Sequence, residues 1–141
     1  MTVTFLDHSG FLAELPGVCL LFDWWKGELP PLPAGKPLLV CASHRHPDHF
    51  DPKIFTLDDG QREARFLLGK GIRLTDRNRE KWGLSAETAA RCQVLSGGET
   101  ASPLSGVTVG PLPSTHEGVA FLVPAAGQTI FHAGDRKWRL R

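Results

Sequence analysis

The chain has 141 residues, 41% hydrophobic and 22% charged, with a formal net charge of +1 at pH 7. That length supports one domain burying roughly 68–70% of the surface its unfolded chain exposes. The balanced charge gives no bulk electrostatic reason to expect nucleic acid or membrane as partner, and no apolar run approaches the ~18 residues of a bilayer span.

The start, "MTVTFLDHSG", has neither the basic beginning nor the apolar segment of a secretory signal, so a cytoplasmic, soluble protein is expected. Three cysteines, at 19, 41 and 92, form no close pair and fit neither a disulfide framework nor a thiolate zinc knuckle. Cys19 and Cys41 fall in apolar runs and are expected to be buried and inert.

In chain order, three β-rich runs come first, roughly at 3–7, 11–15 and 18–23. Ser9-Gly10 and Pro16-Gly17 separate them, which predicts an antiparallel meander. The segment "KGELPPLPAGKP" holds four of the eleven prolines and reads as an irregular surface loop. "PLLVCAS" is a continuous apolar run, as expected of a strand covered on both faces. Asp51-Pro52 then supplies an N-cap and a first-turn proline for a helix over about 52–57. "ARFLLG" predicts a strand, and "TDRNREKWG" and "SAETAARC" predict two helices. The next segment, "CQVLSGGETASPLSGVTVGPL", predicts short strands broken by glycine. "VAFLVPA" and "QTIFHAGD" predict a hairpin around Ala126-Gly127. There is no internal repeat. The sum is a mixed α/β, or α+β, layered domain over residues 1–141.

The chemistry concentrates in "SHRHPDHF", which joins the buried strand to the following helix. Residues two apart on an extended segment face the same way, so His44 and His46 can aim at one point. Pro47 then bends the chain and lets Asp48 and His49 approach from another direction. Imidazole and carboxylate suit zinc or iron, and a loop at the carboxyl end of a buried strand is where open sites in layered α/β folds lie. The plainer alternative is a solvated loop rich in histidine. The strand before it and the helix after it favour the metal.

This pattern of His44, His46, Asp48 and His49 resembles the signature of the metallo-β-lactamase superfamily, and the resemblance extends over nearly the whole chain. The superfamily's aspartate at the end of an early strand is similar to Asp23 in "LLFDWW". Its metal-binding histidine is similar to His116 in "STHEGVAFLV", and its metal-bridging aspartate to Asp135 in "TIFHAGD". The "HSGF" opening and "HAGD" ending resemble a branch of small bacterial hydrolases that includes ascorbate-6-phosphate lactonase. The implied fold is an αββα sandwich, here its N-terminal half to two-thirds.

The resemblance implies a first zinc on His44, His46 and His116, and a second metal on Asp48, His49 and Asp135. Asp48 would also orient the attacking hydroxide, and Asp23 would support a ligand histidine from behind. Three imidazoles with one open position are a catalytic zinc set that can bring bound water to a pKa of about 7. Without the resemblance, His116 reads as a loop histidine, Asp135 as a strand end and Asp23 as a turn residue. His8 and His132 are expected behind the ligands or at the pocket. Trp24, Trp25 and Phe50 flank the motif as a candidate apolar wall.

The family usually runs past two hundred residues, whereas this chain stops six residues after Asp135 with "RKWRLR", and no histidine follows His132. The superfamily's last ligand histidine is therefore expected to be missing. The resemblance then implies one or two zinc ions per chain, with the second site incomplete, and a chain truncated at its C-terminus. A half-covered sheet would favour a homo-oligomer.

The expected function is a zinc-dependent hydrolase of an ester, lactone, thioester or phosphoester in a small molecule. The alternative is a truncated, non-catalytic metal-binding fragment. A nucleic-acid module using the basic tail ranks last, because six residues offer few phosphate contacts.

Overall fold

The computed structural model describes residues 2–7, 10–69, 71–95, 101–104, 107–113, 119–125 and 128–132, with positions from 111 onward described as backbone only. The first sheet contains β1 (Thr2–Asp7), β2 (Gly10–Leu15), β3 (Val18–Phe22), β4 (Leu38–Ala42), β5 (Ala64–Gly69) and β6 (Cys92–Leu95), paired in that order. The first three strands form the expected antiparallel meander, with Phe11 opposite Phe22 and Leu15 opposite Val18. From β3 to β6 every pairing is parallel. The crossovers therefore need covering segments, and those after β4 and β5 carry the helices.

Pro52–Leu57 forms a 3₁₀ helix, capped by Asp51, whose side chain accepts from the Lys53 amide. Helix α1 (Asp76–Trp82) starts at Thr75, whose hydroxyl accepts from the Asn78 amide, and stops at Gly83 in the left-handed region. Helix α2 (Ala86–Ala90) starts at Ser85 in the same manner. A second, antiparallel sheet holds β7 (Ala101–Leu104), β8 (Val107–Pro113), β9 (Val119–Ala125) and β10 (Gln128–His132), in the order β10-β9-β8-β7. The last two form the expected hairpin.

The large sheet splits its side chains by parity. Phe11, Ala13, Leu20, Phe22, Leu39, Cys41 and Leu67 pack with Ala101, Leu104, Val107 and Val109 of the second sheet. Leu12, Leu21, Val40, Phe66 and Leu68 face the other way and pack with Phe50, Ile54 and Phe55 of the 3₁₀ segment. Trp82 and Leu84 border that second cluster. The result is a layer of helices, a six-stranded sheet and a four-stranded sheet, the α/β sandwich expected from sequence. Among the described residues, no helix is long and apolar enough to cross a membrane.

Candidate metal centre

Strand β4 lies between two parallel neighbours and is buried along its whole length. Its carboxyl end delivers Ser43 and His44, both fully buried, into the space where β3 also ends. The chain then turns: the His46 carbonyl accepts from both the His49 and Phe50 amides at 2.9 Å. This is the reversal expected of Pro47, and it returns His49 toward His44, with ring centroids 4.7 Å apart. The His44 and His46 rings are 6.1 Å apart and close to parallel.

Asp23 holds this arrangement from behind. It follows β3 with φ of 46°, a left-handed conformation that aspartate tolerates better than most residues. Its amide donates to the Cys41 carbonyl of β4 at 2.9 Å. Its carboxylate accepts from the Ser43 amide at 2.7 Å, from the Ser43 hydroxyl at 2.5 Å, and from His49 Nδ1 at 2.8 Å. The ends of two adjacent strands are thus tied by one buried side chain. Gly10 permits the close approach: a Cβ there would stand 2.9 Å from the Asp23 carbonyl.

Proton counting fixes the histidines. Ser43 Oγ gives its single proton to Asp23, so at 2.8 Å from His44 Nδ1 it acts as acceptor, and Nδ1 carries the ring proton. His49 likewise spends an Nδ1 proton on Asp23. With Nδ1 protonated, the neutral form of either ring carries its lone pair on Nε2. A histidine that donates its other ring N–H to a protein group is the usual arrangement around a bound metal. His49 Nε2 and Asp48 Oδ2 are 3.5 Å apart. Two ligands of a tetrahedral ion with bonds of about 2.0–2.1 Å stand roughly 3.3–3.4 Å apart, so this pair has ligand spacing.

The donor chemistry thus fits a metal, although among the described residues no group of three histidine, cysteine or acidic side chains converges to hold one. The other expected ligands, His116 and Asp135, lie outside the described residues, as does His8. His132 enters as backbone at the end of β10, paired with Phe121.

The three cysteines are free, with Cys19 and Cys41 buried as expected. Burial, and secondarily the Asp23 charge, push the Cys41 thiol well above its ordinary 9.0. A neutral thiol there adds no competing charge beneath the histidines.

The expected aromatic wall is divided. Trp24 packs against the helix-side core, and its indole donates to the Gly27 carbonyl at 3.0 Å. The Lys53 ammonium sits 4.4 Å from the Trp24 ring centre and donates to the Trp25 carbonyl at 2.6 Å. Trp25 and Phe50 border a cavity beside the loop. Ser43 is the site residue that sequence reasoning missed. Its signal was a small hydroxyl residue directly before a histidine at the end of an all-apolar strand, where a polar side chain needs a buried partner.

Residues 2–140 match the model of the family described as Beta-lactamase superfamily domain. Among solved structures, the chain is similar to CmlA, a diiron beta-hydroxylase from Streptomyces venezuelae, with a TM-score of 0.64 at 17% identity over 93% of this chain and 28% of that one. It is similar to a protein described as a metal-dependent hydrolase from Parabacteroides distasonis, with a TM-score of 0.66 at 18% identity over 94% of this chain and 60% of that one. It is also similar to the metallo-beta-lactamase fold protein YhfI from Bacillus subtilis, at 0.56 and 16%, over 86% and 52%. These are likenesses of fold, and the chain spans less than two-thirds of each of these proteins. No curated protein matches the sequence significantly.

Proposed function

The chain belongs to the beta-lactamase superfamily domain family, and from that membership we propose that it is a zinc-dependent hydrolase of an ester, lactone or phosphoester. His44, His46 and His116 would hold a first ion, and Asp48, His49 and Asp135 a second. The observation that carries this reading is the buried Asp23–Ser43 pair, which engages Nδ1 of both His44 and His49, so that Nε2 of each would be the metal-binding nitrogen. Zinc bound there would supply a water of pKa about 7.

The chain's own residues divide the remaining work. Asp48 has a half-exposed side chain beside His49 Nε2, so its carboxylate could hold the metal through one oxygen and orient an attacking water through the other. Asp23 is buried and commits both oxygens to Ser43 and His49, so it positions and does not exchange protons with substrate. Trp25 and Phe50 border the cavity beside the loop, where they would offer a ligand an apolar wall. Packing of both sheets into one core supports a single domain, and three free cysteines fit a reducing, cytoplasmic setting.

Metal content of the purified protein by mass spectrometry tests the proposal and separates zinc from iron. About one equivalent of zinc or more is expected, with loss on replacing His44 and His46 by Ala; less than about a tenth of an equivalent in the parent overturns it. Cleavage of aryl esters, lactones or phosphodiesters should depend on His46.

A further inference from the structure

Beside the histidine loop lies a cavity of about 630 Å³, within the range of small-molecule pockets. One side is aromatic, formed by Trp25, Phe50 and Trp82, and Phe50 meets Trp82 edge to face at 5.2 Å. The other side is cationic. Arg45 comes from the histidine loop, Arg73 from the segment before α1, and Lys81 from α1 itself. Among the described lining residues the one carboxylate, Asp51, already accepts from the Lys53 amide as a helix cap.

Two local features shape the backbone that carries these cations. Gly71 leaves the Arg45 methylenes room to lie against its backbone, since a Cβ there would stand 3.4 Å from Arg45 Cδ. The Asn78 amide donates to the Arg73 carbonyl at 2.8 Å and fastens the start of α1 to the segment that carries Arg73.

We infer that this cavity binds a small molecule bearing an oxyanion, phosphate or carboxylate, on a planar ring. The Arg73 guanidinium and the Lys81 ammonium suit either oxyanion, and flat aromatic faces suit the ring. Arg45 and Pro47 tie the pocket to the histidine loop, while none of the proposed metal ligands is on its described lining, so binding requires no metal and stands apart from the hydrolase reading above.

The test is titration of the purified full-length chain with phenylphosphonate and with benzoate, followed by calorimetry and by tryptophan fluorescence. Saturable binding of at least one is expected, weakening as salt rises. Phenol and inorganic phosphate should each bind far more weakly than the better ligand. The double variant R73E/K81E, at two exposed positions, should weaken binding about tenfold or more. The order of the two ligands assigns the oxyanion. Unchanged binding in R73E/K81E, equal binding of phenol, or no saturation by either ligand would overturn the inference. Treatment with EDTA should leave binding of both probes unchanged, so a failure of the metal proposal remains distinguishable from a failure of this one.

Discussion

Ser43 and Asp23 show how little side-chain chemistry suffices to prepare a histidine pair. One carboxylate and one hydroxyl, both removed from water, set the protonated nitrogen in two rings. Replacing Ser43 by Ala should therefore lower metal affinity roughly 10–100-fold, the usual scale for partners behind a ligand. Ser43→Thr keeps the hydroxyl and should recover much of the loss. Competition with a chromophoric chelator measures both, and equal affinity of S43A and parent would refute the role. The cysteines give a pH prediction. Burial first, and the Asp58 charge second, push the Cys92 thiol from 9.0 to about 12. A thiol pKa raised by folding adds stability that is complete below about pH 9 and is lost as pH rises toward 12. Denaturation midpoints should fall across that window, and Cys92→Ser should flatten the fall.

The short elements depend on their ends. Thr75 caps an α1 with no buried residue, so Thr75→Ala should cost about 1 kcal/mol in urea unfolding. Gly27 is a stricter case. Its φ is +90°, and a Cβ there would stand 2.5 Å from the Leu6 carbonyl, so Gly27→Ala should cost about 1–3 kcal/mol, read as a lower melting temperature. Proline, glycine and cap residues made these boundaries legible in sequence, as with Asp51-Pro52 and Gly83. The polar support of the histidines was only half legible. The motif announced His44 and His46 within one turn of chain, but Asp23 reaches Ser43 across 20 residues and His49 across 26, a contact that no local pattern encodes.

Across the whole molecule, the parity split of the large sheet gives each buried strand two separate duties. Leu20 faces the second sheet and Leu21 faces the helices, and both are fully buried. Either change to Ala should cost about 2–5 kcal/mol in chemical denaturation. This division was invisible in "VCLLF" and "LLVCA", since strands buried on both faces lose the alternation that would reveal it. The fastening of the loop to the strand ends has a consequence for binding preference. Residues behind the histidines come from β3 and β4, whereas α1 and the segment before it supply only the far wall of the neighbouring cavity. Changes in that wall would alter what the proposed pocket accepts while leaving the strand-end histidine geometry untouched, so binding preference and metal support are separable parts of this fold.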